Sequence, residues 1–132
     1  MTSVLPRFPP HPLRDVRVLH QKVNCAPHFA DITVDFEPAA EGFTFEVAEG
    51  LTVAYEPAEK LPGFFRAAAA GVEEQLTLPE HGVVVATRVV LRQARAHAFG
   101  SHELAFKIAG YLAARKALER GGRLPSRCAA DG

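Results

Sequence analysis

The sequence predicts an α+β domain with two helices on one face of a sheet. Three observations predict it. The first half carries short runs in which apolar and polar residues alternate. Two longer runs, near 62–78 and 101–121, carry apolar residues at helical spacing. A dense β-branched run, Val83 to Arg92, lies between them, so the order is strands, helix, strand, helix. At 132 residues the chain is one domain long and can bury roughly 68% of its unfolded surface.

Residues 1–15 hold Pro6, Pro9, Pro10 and Pro12 and read as an extended lead-in. Val16 to His20 reads as a strand and 21–28 as a loop. In the next strand Ile32, Val34 and Phe36 alternate with Asp31, Thr33, Asp35 and Glu37, which predicts an acidic outer face. Pro38 to Gly42 turns the chain. Phe43, Phe45 and Val47, then Leu51, Val53 and Tyr55, predict one or two antiparallel strands. Pro62 suits the first turn of a helix whose buried side is Phe65, Ala68, Ala69, Val72 and Leu76, ending near Leu78. Glu73 and Glu74 lie off that side, and the run Ala67 to Gly71 predicts close packing against another helix. The β-branched density of 83–92 predicts a central strand covered on both sides, with Arg88 and Arg92 pointing the same way. A loop or strand end follows at 93–100. Ser101 is the expected N-cap of the second helix, with Glu103 in its first turn and Gly121-Gly122 as its stop. The domain is thus expected over 16–122, followed by a disordered tail at 123–132.

Composition and charge exclude several classes. With 48% apolar and 23% charged residues the chain is not intrinsically disordered. No apolar run approaches membrane-spanning length, and no secretory leader is visible. Two cysteines, Cys25 and Cys128, give no disulfide framework, and a cytoplasmic setting is expected. Net charge is zero, yet 1–30 carries +3, 31–80 carries −9 and 81–132 carries +6. Two stretches, 16–30 and 81–102, hold no acid, only Arg17, Lys22, Arg88, Arg92 and Arg95 with His20, His28, His81, His97 and His102. If the fold joins them, one end of the molecule is basic and would steer an anionic partner.

No Gly-x-x-x-x-Gly-Lys-Ser/Thr loop and no Gly-x-Gly-x-x-Gly occur, so neither a nucleotide nor any other cofactor is expected. There is no Gly-x-Ser-x-Gly elbow, and Ser3, Ser101 and Ser126 are the only serines. Cys25 sits between His20 and His28, and with His97 these could form a metal or thiol site. The spacing matches no standard zinc pattern, and the bland alternative is a loop cysteine among exposed histidines. Phe29 and Phe99 each lie at an end of an acid-free stretch, either to brace a loop or to stack on a nucleobase.

The run Ser101-His102-Glu103-Leu104-Ala105-Phe106-Lys107-Ile108-Ala109-Gly110 resembles the end of the fourth domain of elongation factor G, where a strand leads into Ser-Ser-Glu-(Met/Leu)-Ala-Phe-Lys-(Ile/Leu)-Ala. Val83–Leu91 resembles that strand, Phe29–Pro38 resembles the strand after the family's glycine-rich loop, and Leu61-Pro62 with Ala68–Leu76 resembles its first helix. The resemblance spans about 16–121 in the family's order. It implies a four-stranded sheet with two helices and a left-handed βαβ crossover, as in the second domain of ribosomal protein S-five. It also implies that the 20–28 and 93–100 loops share one tip, which in the family enters the ribosomal decoding centre. His97 falls on the family's tip histidine. The glycine-rich loop, however, reads Lys22-Val23-Asn24-Cys25-Ala26-Pro27-His28 here, with every glycine gone, and the segment from Gly50 to Glu59 is longer.

The expected function is therefore non-catalytic binding of the ribosome or a structured RNA, without a GTPase. Arg17, Lys22, Arg88, Arg92 and Arg95 would meet phosphates, His97 would hydrogen-bond to RNA, and His20, His28 and Phe99 would complete the tip. Three to four phosphate contacts would give a log–log salt slope near roughly −2.5. The alternatives are a protein-interaction module, such as a homodimer, using the acidic 31–59 strand face or an apolar patch, and a metal or thiol protein using His20, Cys25, His28 and His97.

Overall fold

A computed structural model describes residues 5–23 and 26–124. Five strands are present among them: β1 (Arg7–Phe8), β2 (Leu13–Lys22), β3 (His28–Pro38), β4 (Gly42–Val47) and β5 (Val84–Arg95). Two helices follow the expected order, α1 (Leu61–Leu76) and α2 (Glu103–Arg120). β3 lies between β2 and β5 and is antiparallel to both. β4 runs parallel to β5, so β4–α1–β5 is a parallel crossover through a helix. β1 adds a short parallel pairing at Val84 and Val85.

The alternation of β3 does what its sequence predicts. Ala30, Ile32, Val34 and Phe36 are fully buried beneath the helices. They meet Val16 of β2, Val89 and Leu91 of β5, Phe64, Ala68 and Val72 of α1, and Phe106, Ala109 and Ala113 of α2. Phe64 and Phe106 stack with ring centroids 4.9 Å apart. Each large side chain buried this way stabilises the fold by about 1.5–3 kcal/mol. The helices approach closely because glycines meet backbone: a Cβ on Gly71 would overlap the Lys107 carbonyl, and one on Gly110 the Ala68 carbonyl.

Several expectations are corrected. The lead-in is not merely extended, because 7–8 and 13–15 belong to strands. β2 extends beyond its expected end, into 21–22, and of the two readings of 93–100 the strand end holds for 93–95. The segment 51–55 is not a strand; Leu51, Val53 and Tyr55 alternate because an irregular segment is half-buried against the core. β4 pairs in parallel with β5 and not in a hairpin. β5 is central, but the helices cover only one of its sides; on the other, Val90, which is 7% exposed, lies between Arg88 and Arg92 along the strand. His102, not Ser101, caps α2, its Nδ1 accepting from the Ala105 N–H at 3.2 Å. The expected tail lies outside the described residues from 125 onward.

Candidate nucleic-acid interface

The end of β2, the start of β3 and the end of β5 meet at one end of the sheet, where the 96–102 loop joins them. Backbone bonds tie this end together. The Phe29 N–H donates to the Gly100 carbonyl at 2.8 Å. The Ser101 hydroxyl donates to the Phe29 carbonyl at 2.8 Å and accepts from the His97 N–H at 2.8 Å. Gly100 has φ +102°, and a Cβ there would sit 3.0 Å from the backbone of His28 and Phe29. Only glycine serves both the conformation and the space.

On the side away from the helices this end forms an open cleft of about 490 Å³. Phe29 forms part of its wall, with the His97 ring 5.3 Å away and the Arg95 guanidinium 5.7 Å from the ring centroid, a cation–π contact. Lys22 lines the same cleft, as do the exposed Leu19, Val23 and Phe99. Phe99 is 82% exposed. No carboxylate lines the cleft among the described residues.

On the helix side three histidines meet. The His20 and His28 rings are hydrogen-bonded, Nε2 to Nδ1, at 3.0 Å. His102 makes edge contact with His28 at 4.7 Å, and its Nε2 donates to the Pro27 carbonyl at 3.3 Å. Loss of hydration is the main cause that holds His20 and His28 below the usual imidazole range; the positive charges of His28, Lys22 and His102 add to it for His20, and those of His102 and Lys22 for His28. His97 is not in this cluster; it faces Phe29. Cys25 lies outside the described residues. Among the described residues no three His, Cys, Asp or Glu side chains are placed to hold a metal ion. The expected grouping of His20, Cys25, His28 and His97 is thus corrected for His97, which lies on the 96–102 loop with its ring against Phe29 and not against His20 or His28.

The arginines depart most from expectation. Stretches without acid in sequence are not without acid in space, because β3 threads its carboxylates between them. Asp31, with a side chain 5% exposed, is held by Arg17 at 2.8 Å and Arg95 at 3.3 Å. Asp35 accepts the Asp15 N–H at 2.9 Å and faces Arg14 at 3.6 Å and Arg92 at 3.7 Å. Arg14 also pairs with Glu37. Arg88 pairs with Glu46 through two bonds of 2.7 and 2.9 Å, which lowers the Glu46 carboxyl pKa and raises that of the guanidinium. Arg88 lies seven residues from Arg95 along β5, about 23 Å away, so it does not belong to this end. The acidic 31–59 face is corrected by the same pairing: Asp31, Asp35, Glu37 and Glu46 already meet arginines.

Of the expected site residues the fold therefore brings together Lys22, His28, Arg95, His97 and Phe99 in the cleft, with His20 behind His28. Arg17 and Arg92 stand on the adjoining sheet face, and Arg88 at its far end. Sequence reasoning had His102 only as one more side chain of an acid-free stretch, and missed Gly100 and the exposed Leu19 and Val23 as parts of this end. The one available signal was that His102 and Gly100 close the second acid-free stretch.

A family model described as elongation factor G, domain IV matches residues 10–122. Among solved structures, a crystal structure of a protein from Thermus thermophilus is similar, with a TM-score of 0.52 and 21% sequence identity. The match covers 76% of this chain and 14% of that one, so the chain spans about a seventh of that protein's length. At that identity the likeness is one of fold. Among the described residues no helix is long and apolar enough to cross a membrane.

Proposed function

We propose, from the premise that this chain belongs to the elongation factor G domain IV family, that its cleft-bearing end binds RNA, with the ribosome as its target. We read the role as one of binding without nucleotide hydrolysis, since the sequence carries no phosphate loop. The observation that carries the reading is the cleft itself. Lys22, Arg95 and His97 converge there beside Phe29 and an exposed Phe99, with no lining carboxylate among the described residues. Phosphate oxygens would meet Lys22 and Arg95, and His97 would offer a ring nitrogen.

The geometry revises the electrostatics expected from the sequence. Arg17 and Arg92 are held by buried carboxylates on the adjoining face and Arg88 is remote, which leaves Lys22 and Arg95, the latter still sharing Asp31 with Arg17. About two phosphate contacts remain, so the log–log salt slope should be near roughly −1.5. The test is co-sedimentation with ribosomes and separated subunits across a salt series, wild type beside Lys22→Ala/His97→Ala. Arg95 is left in place because its loss would strip Asp31 of one of two partners. Pelleting of wild type at low salt, with several-fold less of the variant, is the expected result. Absence of wild-type pelleting at low salt would sink the reading.

A second reading has one specific observation behind it. A shallow apolar groove of about 480 Å³ runs between β4 and α1, lined by Phe45, Val47, Pro62, Phe65 and Ala69 with Arg66 at its rim. A protein partner would suit it better than RNA would.

A further inference from the structure

We propose that the cleft captures one unpaired base of a single-stranded RNA segment, stacked against Phe99, while Lys22 holds an adjoining phosphate. This rests on the RNA reading above and specifies what the cleft takes. Phe99 is exposed on its loop and does not stand alone: Leu19 and Val23, also exposed, share its cleft. An apolar floor of this kind would by itself suit a protein side chain equally well. The surrounding charge decides between them. Lys22 and Arg95 are both cationic, no carboxylate lines the cleft among the described residues, and the Arg95 guanidinium already lies against the Phe29 ring. A flat aromatic group attached to an anionic backbone satisfies both features.

The cleft volume of about 490 Å³ lies within the range of small-ligand sites, roughly 300–1,000 Å³, so a base enters where a duplex does not. Bases within a duplex have both faces covered, which restricts capture to a loop, a bulge or an end. Of the polar groups that line the cleft, Lys22 is assigned to a phosphate, Arg95 is held by Asp31 and His28 by His20, which leaves chiefly Gln21 and His97 to read a base edge. Selectivity among the four bases should therefore be weak and follow stacking area, because every base has a π-face.

The experiment uses the full chain and an eight-nucleotide single-stranded RNA carrying one central 2-aminopurine, read by fluorescence and anisotropy. Stacking should quench the fluorophore. Phe99→Ala, which folds normally because the side chain is exposed, should weaken binding about 5- to 100-fold and abolish the quenching while leaving the salt slope unchanged. Phe99→Tyr should restore both. Lys22→Ala should keep the quenching and make the slope shallower by about 0.7. An oligomer with an abasic site in the same position should bind wild type and Phe99→Ala alike. If Phe99→Ala matches wild type on the 2-aminopurine strand while wild type still pellets with ribosomes, base capture is wrong and the RNA reading stands. Equal affinity for a duplex of the same sequence would also overturn capture. If wild type binds neither the oligomer nor the ribosome, both fall.

Discussion

His102 serves two elements with one ring. Its Nδ1 accepts the Ala105 N–H and starts α2, and its Nε2 donates to the Pro27 carbonyl. The neighbouring His20–His28 hydrogen bond likewise needs one bare nitrogen, so adding protons to both rings would set N–H against N–H. Both imidazoles have pKa values lowered in the fold, mainly by burial and by the cationic charge around them. The sign follows directly. As pH falls, the unfolded chain, with histidines near roughly 6.5, takes up protons before the folded one does. Stability is therefore full above that value and is lost progressively as pH drops through it towards the lower folded values. Urea midpoints at about pH 7.5 and 5.5 should differ more for wild type than for His20→Gln/His28→Gln. An equal difference in both proteins would show that this pair does not contribute. None of this was legible in the sequence. Histidine is a rarer cap than serine, so local propensity favoured Ser101, whose hydroxyl is instead spent on Phe29 and His97.

The helix pair was legible at the level of elements, and the sheet edge was not. Small residues from Ala67 to Gly71 announce a close crossing, and the partner that arrives carries its own glycine at position 110. Gly71→Ala should force the helix backbones apart and destabilise by about 1–3 kcal/mol or more. Gly63→Ala in the same helix is the control. Its Cβ would meet only the tip of the Glu103 side chain at 3.1 Å, so it should be neutral or stabilising by up to about 1 kcal/mol. Equal urea midpoints for the two variants would remove the tight crossing as a source of stability. For β4, the alternation of Phe43, Phe45 and Val47 specifies a strand with one apolar side, which is half-buried at Phe43 and Phe45 and exposed at Val47. It carries no information on direction. The parallel partner lies some forty residues away, across α1, and only the burial of that helix selects it over a local hairpin. The same half-burial repeats in 51–55 without any strand, which is why period alone misled there.

For the whole molecule the decisive quantity is where charge cancels. The sequence shows acids and bases in blocks, and reading those blocks as surfaces predicts a basic end and an acidic face. The strand order interleaves them, because β3 carries Asp31, Asp35 and Glu37 between β2 and β5, which carry Arg14, Arg17, Arg92 and Arg95. The cancellation depends on register, including the shifts at Leu13/Val16 and Thr33/Val34, and register is not written in composition. One substitution separates the field from the cleft. Asp31→Asn keeps the side chain's size but removes the negative charge between Arg17 and Arg95. Both arginines are more than half exposed and can rehydrate, so the stability loss should be modest, about 1–2 kcal/mol. With one or two guanidiniums released, RNA affinity at low salt should rise and the log–log slope should steepen by about 0.7–1.5. If affinity rises with a steeper slope, the sheet face beside the cleft belongs to the RNA footprint and the native carboxylate restrains it. An unchanged slope, measured on protein shown to be folded, would confine the interface to the Lys22 side of the cleft and leave the Arg17–Asp31–Arg95 triad a purely structural clasp between β2, β3 and β5.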